Sequence, residues 1–108
     1  MNSTLKNQIE KTFALTISEF KNEDEAYEFL KDFLTESEFT AFAKRLSIAY
    51  WLTKKRSYEN INTNLKVSSA TISQVKTMMK KTGFKKAVKK LEADEWATKW
   101  TKKIKSII

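Results

Sequence analysis

The chain has 108 residues, with 21 Lys and Arg against 13 Asp and Glu, a formal net charge of +8, and 41% hydrophobic residues. This length and composition favour one folded domain over a disordered chain. The absence of Cys and His excludes disulfides, zinc sites built on those ligands and every Cys-based or His-based catalytic arrangement.

The charge is divided unevenly along the chain. Residues 1–38 contain four Lys against nine Asp and Glu, whereas residues 39–108 contain seventeen Lys and Arg against four Asp and Glu. A basic segment of this kind indicates a polyanionic partner, although a solvated Lys-rich surface would have the same composition. No apolar run approaches the ~20 residues that span a bilayer, and the first residues lack the apolar core of a signal peptide. We therefore expect a cytoplasmic protein.

The distribution of Pro, Gly and apolar residues predicts an all-α fold. The chain has no Pro and one Gly, and no alternation of polar and apolar residues is long enough for a strand. A first helix is predicted over residues 3–20 from apolar residues at intervals of three and four. Asn22 followed by Glu25 predicts the start of a second helix, because Asn is a favoured N-cap.

A third helix is predicted from Glu36 to about Lys55, because Thr35 and Glu38 form a capping box. Its apolar residues fall on two sides, one with Phe39, Phe42, Leu46 and Ala49 or Tyr50 and the other with Ile48, Trp51 and Leu52. One small monomer rarely buries both sides of a helix, which favours a helix shared with a second subunit. The alternative is a central helix surrounded by its own neighbours.

Two short helices follow. Ser57 predicts the start of a helix that ends near Asn64, and Ser68 predicts the start of another after a tight turn. The pair predicts a helix-turn-helix over about residues 57–81. The apolar residues that would pack between its helices are Ile61, Leu65, Val67, Ile72 and Val75.

The opposite side of the second motif helix carries short, uncharged groups, from Ala70, Ser73, Gln74 and Thr77. Such side chains suit base edges, and the neighbouring Lys76, Lys80 and Lys81 can neutralise phosphates. This pattern predicts contact with duplex DNA.

The segment SYENINTNLKVSSATISQV (residues 57–75) resembles the helix-turn-helix of the tryptophan repressor family, including its YerC/YecD branch. FLTESEFTAFAKRLSIAYWL (residues 33–52) is similar to the helix that precedes it in that family, and the likeness extends over residues 22 to about 91. The resemblance implies a Trp repressor-like multi-helix domain that forms an intertwined homodimer. It also implies a transcription regulator, such as a repressor, that recognises a two-fold symmetric operator through the major groove.

The resemblance assigns base contacts to Ser69, Ala70 and Ser73. Together with the outward-facing residues and lysines, it predicts a DNA-binding set of Ser68, Ser69, Ala70, Thr71, Ser73, Gln74, Lys76, Thr77, Lys80 and Lys81.

In tryptophan-responsive members of that family, the positions that match Thr35, Arg45, Gln74 and Val75 surround the amino acid, which makes these residues a possible effector pocket. The family has Arg at the position of Gln74 and Gly at that of Val75. Gln cannot form the charge-assisted bond that Arg makes with a carboxylate, and a branched Val would fill the space of the indole ring. We therefore do not expect tryptophan as an effector, and we expect no cofactor.

After the motif, Gly83 predicts the C-cap of the second motif helix. A further helix is predicted over residues 84–91, and an extra basic helix over about 94–107 has Trp at intervals of four among Lys residues. We favour packing of this last helix on the core; the alternative is an amphipathic element on an anionic membrane. A single helical domain over residues 1–108 is the expected organisation.

No Gly-rich phosphate loop, metal-ligand cluster or nucleophile motif is visible, so we expect no enzyme, no catalytic residue and no metal. The alternative to a DNA-binding regulator is a helical interaction or membrane-surface protein whose basic half binds acidic partners other than DNA. Among the acidic partners of this alternative, we do not expect a membrane.

Overall fold

The computed structural model describes the backbone of residues 1–107 and the side chains of residues 1–95 and 98. The described backbone contains six helices and no strand, which confirms the all-α class. In chain order the helices are α1 (Ser3–Ser18), α2 (Glu23–Phe33), α3 (Glu36–Thr53), α4 (Tyr58–Leu65), α5 (Ser69–Met78) and α6 (Thr82–Ile107). The chain divides into two compact units, Met1–Thr40 and Ala41–Ile108. A single domain over the whole chain stays a prediction.

The predicted N-caps are confirmed, because each accepts a hydrogen bond from a backbone N–H in the first turn of its helix. The side chain of Asn22 accepts from Glu25 at 2.9 Å, Ser57 from Asn60 at 3.1 Å and Ser68 from Thr71 at 3.1 Å. Each cap satisfies an N–H group that has no partner within the helix, which stabilises the helix by about 1 kcal/mol.

The predicted capping box at the start of α3 is also confirmed. The N–H of Thr35 donates to Glu38 Oε1 at 2.9 Å, and the N–H of Glu38 donates to Thr35 Oγ1 at 3.1 Å. These bonds hold the pKa of the Glu38 carboxyl below its ordinary value, the backbone bond from Thr35 having the larger effect and the bond with the Thr35 side chain the smaller. The helix ends at Thr53, two residues before the predicted Lys55.

The first unit holds a cluster of four aromatic rings, from Phe13, Phe20, Phe29 and Phe33. The ring of Phe29 stacks on Phe33 with centroids 5.0 Å apart, and Phe13 meets Phe33 edge to face at 5.4 Å. Nevertheless, neither α1 nor α2 has a buried residue. Phe13 is 44% exposed and Phe33 is 56% exposed. The aromatic cluster therefore leaves a large part of its apolar surface in water.

The buried residues of the second unit form one core, composed of Ile48, Ala49, Ile61, Ile72, Val75 and Val88. Leu65 and Val67 are partly buried against this core. All five apolar residues predicted to hold the motif together thus pack as expected.

Helix α3 contributes Ile48 from one of its two apolar sides and Ala49 from the other to this core. Ile48 is fully buried, whereas Phe42 is 46% exposed and Leu46 is 36% exposed. The side with Phe42 and Leu46 therefore packs on the core only at Ala49, and the rest of it is in contact with solvent.

The C-terminal helices differ from the sequence prediction. One helix runs without a break from Thr82 to Ile107, so the boundary expected near Asp94 was wrong. Gly83 lies inside α6 without a positive φ, and Met79 is the C-cap of α5. After Gly83 the chain has no further Gly and no Pro, and its Lys, Ala, Leu and Glu residues favour helix, so nothing interrupts it.

The side chains of Trp96, Trp100 and Ile104 lie outside the described residues, so core packing and membrane contact both stay predictions for this segment. Among the described residues, no helix is both long enough and apolar enough to cross a membrane.

Acid should weaken the capping box. Because the folded-state pKa of Glu38 is lowered, the box contributes to stability above the pKa that Glu38 has in the unfolded chain. This contribution is lost as the pH falls through the folded-state pKa. Replacing Thr35 with Ala removes the side-chain bond but keeps the larger backbone bond, so it should raise the pKa of Glu38 part of the way toward its ordinary value, as measured by NMR titration of the carboxyl carbon. Thr40→Ala, the same replacement in α3 outside the box, should leave that pKa unchanged, and equal titration midpoints in both variants would contradict the assignment.

Candidate nucleic-acid interface

The helix-turn-helix consists of α4, a turn over residues 66–68, and α5. Ile61 of α4 and Ile72 of α5 are fully buried, and Val75 is 2% exposed. These side chains occupy the inner side of the motif. Since residues on opposite sides of a helix cannot both face the core, their burial directs the other side of α5 outward.

The turn between the motif helices contains a strained residue. Lys66 has φ 54° and ψ 54°, the left-handed region that favours Gly. A residue with a Cβ costs about 1–2 kcal/mol in this conformation. The Asn62 side chain donates to the carbonyl of Val67 at 2.6 Å, and this bond spans the turn.

Nine of the ten residues predicted to contact DNA are exposed. They are Ser68, Ser69, Ala70, Ser73, Gln74, Lys76, Thr77, Lys80 and Lys81, whereas Thr71 is half-buried. Exposure of Ser73 and Gln74 is the condition on which the DNA-binding hypothesis depends, and the structure meets it. Their contact with DNA stays a prediction.

Some hydroxyl and amide groups of this surface already form hydrogen bonds within the protein, and others do not. The hydroxyls of Ser68 and Thr71 lie 2.9 Å apart and form the cap of α5, and the Thr77 hydroxyl donates to the carbonyl of Ser73 at 3.2 Å. The Ser73 hydroxyl and the Gln74 carboxamide form no hydrogen bond with any described residue. They are the groups most available to a ligand.

The electrostatics of the motif are one-sided. Residues 60–91 contain eight Lys and no Asp or Glu. Lys76, Lys80 and Lys81 are all exposed around the C-terminal end of α5. Glu59 is the one acidic residue of the motif, so the lysines leave the motif with a net positive charge that attracts polyanions.

A cleft of about 220 Å³ lies between α3 and α5, lined among others by Lys44, Arg45, Thr71, Gln74 and Val75. Three of the four residues predicted for an effector pocket, Arg45, Gln74 and Val75, are therefore brought together. Thr35, the fourth, belongs to the first unit, where it caps α3. Val75 is buried, so its side chain occupies the inner side of α5. The volume of the cleft is also below the roughly 300–1,000 Å³ of typical small-molecule sites.

Comparison with known proteins agrees with this geometry. The family model described as Trp repressor protein matches residues 8–92. The chain belongs to the Trp repressor family. The family resemblance in the sequence is thus confirmed, and this family consists of regulators rather than enzymes.

A curated relative points to the same family. The uncharacterized protein YerC of Bacillus subtilis (strain 168) is 38% identical over 61 residues, which cover 56% of this chain. The match spans 59% of the length of that protein. No solved structure matches the chain.

Arg45, one of the residues predicted for an effector pocket, lies beside an aromatic ring. Its guanidinium lies 5.4 Å from the centroid of the Phe42 ring. None of the described carboxylates is within ion-pair distance of the Arg45 guanidinium. The ion pairs among the described residues are Lys6–Glu10 and Lys54–Glu95. An ion pair between Arg45 and a carboxylate is therefore not seen among the described residues.

Two residues of the interface escaped the sequence analysis. Arg56 lies 3.9 Å from the centroid of the Trp51 ring and donates to Asn60 Oδ1 at 3.4 Å, directly before α4. The run of three cations before Ser57 could have indicated it. Asn62 is the other, and its sequence context does not distinguish it from Asn60 or Asn64.

Relief of the strain in the turn should stabilise the motif. Replacing Lys66 with Gly should raise the free energy of unfolding by about 1 kcal/mol, since Gly has no Cβ to crowd the left-handed conformation. Urea unfolding followed by circular dichroism measures this change. Lys76→Gly, the same replacement inside α5, should instead lower the free energy by about 1 kcal/mol. A similar loss at both positions would show that the turn is not strained.

Proposed function

We propose that the chain is a sequence-specific, duplex DNA-binding transcription regulator that recognises a two-fold symmetric operator as a homodimer. One observation carries this proposal: the uncharged side of α5 is exposed because Ile72 and Val75 on its inner side are buried. Membership of the Trp repressor family supports it.

The outward residues of α5 have the chemistry needed in a major groove. A Gln side chain such as that of Gln74 can form two hydrogen bonds with adenine, and a Ser hydroxyl such as that of Ser69 or Ser73 can donate or accept. Ala70 and the methyl group of Thr77 can contact a thymine methyl. These residues are the proposed contacts to base edges.

Cations on both sides of these residues are the proposed contacts to the DNA backbone. Lys76, Lys80 and Lys81 are exposed around the C-terminal end of α5, and Arg56 is exposed at the start of α4. Ser68 and Thr71 use their hydroxyls within the cap, so their proposed contribution is to present the N-terminal N–H groups of α5 to a phosphate.

The exposed apolar residues support the homodimer. Phe13 and Phe33 of the first unit remain in water, as do Phe42 and Leu46 of α3. Apolar surface of this kind marks a contact with another chain, and a second copy with two-fold symmetry would also match a symmetric operator. In such a dimer, the two α5 helices would contact half-sites separated by about 34–36 Å, one turn of DNA.

Tryptophan is not the proposed effector. The cleft beside Arg45 has Gln74 where a second cation would bind a carboxylate, and the buried Val75 restricts the space for a flat ring. Operator affinity is therefore proposed to be independent of tryptophan.

Selection of bound sequences from random DNA duplexes tests the function, and we expect the selected sites to share a two-fold symmetric core. Replacing Ser73 or Gln74 with Ala should change the preferred base at one position per half-site, at a cost of about 1–3 kcal/mol for the original base. Lys80→Ala should weaken all duplexes alike and reduce the salt dependence of binding by about one counterion. If the two kinds of variant behaved alike, the assignment of base and phosphate contacts would be wrong.

Two further measurements test for an effector and for an acidic partner other than DNA. Selections with and without free amino acids should yield the same core if no amino acid is an effector. Absence of duplex binding together with binding to anionic lipid vesicles would instead favour the membrane-surface alternative.

Assembly provides an independent test. Replacing Phe13 with Glu should convert the dimer to monomers in sedimentation equilibrium, because a dimer contact would bury an unpaired carboxylate. Lys11→Glu introduces the same side chain at another exposed position of α1 and should leave the mass unchanged. A wild-type chain that sediments as a monomer at micromolar concentration would contradict the homodimer.

A further inference from the structure

Asn62 of α4 connects the two helices of the motif through its side chain. Its Nδ2 donates to the carbonyl of Val67 at 2.6 Å, and its Oδ1 accepts from the hydroxyl of Ser69 at 3.4 Å. Val67 and Ser69 flank Ser68, the N-cap of α5. One carboxamide on α4 thus holds both sides of the start of α5.

The backbone of α5 does not replace this connection. The N–H of Thr71 bonds to Ser68 Oγ, and the N–H of Ile72 bonds to the Ser68 carbonyl. The N–H groups of Thr71 and Ile72 are therefore used on Ser68, and the Val67 carbonyl receives its hydrogen bond from Asn62. Because this carbonyl follows the strained Lys66, the bond fixes the direction in which the chain leaves the turn.

The other Asn side chains of α4 form local contacts. Asn64 Nδ2 donates to the carbonyl of Asn60 within the same helix at 2.8 Å, and Asn60 Oδ1 accepts from Arg56 four residues earlier. Asn62 is half-buried, whereas Asn60 and Asn64 are exposed. Among these three, only Asn62 bonds to residues on the far side of the turn, Val67 and Ser69.

We infer that Asn62 is a positioning residue that sets the base preference of the motif without touching DNA. This inference rests on the proposed function. Ser69, Ala70 and Ser73 have short side chains, so a small displacement of the first turn of α5 moves them out of reach of base edges. Long, flexible Lys side chains can follow a phosphate through the same displacement. Loss of Asn62 therefore reduces discrimination between sequences more than it reduces general affinity for DNA.

A pair of Asn→Ala variants on the same helix tests the inference. The measured quantity is the ratio of the dissociation constants for a scrambled duplex and for the duplex selected by the wild-type protein. Asn62→Ala is expected to lower this ratio at least tenfold, with the affinity for scrambled DNA and its salt dependence within twofold of wild type. Asn64→Ala removes a hydrogen bond inside α4 and is expected to leave the ratio within twofold. Equal ratios in the two variants would overturn the inference.

A second substitution separates positioning from stability. Lys66→Gly relieves the strain of the turn, so the double variant Asn62→Ala, Lys66→Gly is expected to be folded, as measured by circular dichroism and thermal unfolding. It should still discriminate at least tenfold less than Lys66→Gly alone. Recovery of discrimination in the folded double variant would show that Asn62 serves stability only and would overturn the positioning role.

Amide hydrogen exchange in the absence of DNA provides a readout that does not depend on the proposed function. Exchange of the Thr71 and Ile72 amides is expected to be at least tenfold faster in Asn62→Ala than in Asn64→Ala, because the start of α5 is released from α4. Should wild-type protein bind no duplex selectively, the proposed function fails while this difference remains. Equal exchange in both variants would instead overturn the role of Asn62.

Discussion

Burial of Ile72 and Val75 is the contact on which the candidate interface depends. Helix α5 has ten residues, and an isolated helix of that length is marginal in water, so its stability must come from packing. Burying each side chain contributes about 1.5–3 kcal/mol. The same packing turns Ser73 and Gln74 toward solvent, since they follow Ile72 directly on the helix and cannot share its direction. Core packing and exposure of the hydrogen-bonding groups are therefore two results of one arrangement.

The turn of the motif is a local compromise that tertiary contacts maintain. Lys66 is held in an unfavourable backbone conformation, which persists only where surrounding contacts determine it. Those contacts are the partly buried Val67 side chain and the hydrogen bond from Asn62 to the Val67 carbonyl. Strain and its compensation thus lie in the turn between α4 and α5, the helix proposed to enter DNA.

The sequence predicted those features of the fold that depend on neighbouring residues. The caps at Asn22, Ser57 and Ser68 are confirmed because each involves an N–H three residues away. The C-cap assigned to Gly83 was wrong, because a Gly without positive φ is compatible with the interior of a helix. The boundary near Asp94 was wrong because no Gly or Pro interrupts the chain there. The importance of Asn62 was not predictable, because its partners are reached only after the turn brings Val67 back toward α4.

Sequence discrimination by α5 and burial of the exposed apolar residues both require an extensive contact between the two copies of the proposed dimer. One copy of α5 offers a few short side chains, and a good pairing with a base contributes about 1–3 kcal/mol of discrimination. A second copy held rigidly beside the first adds a second set of base contacts, while the entropy lost on association with DNA is incurred once. Contacts that fix the two copies relative to each other must be extensive, and Phe13, Phe33, Phe42 and Leu46 leave such apolar area available. Exposed apolar surface on a single chain is therefore expected in a protein whose specificity comes from two linked motifs.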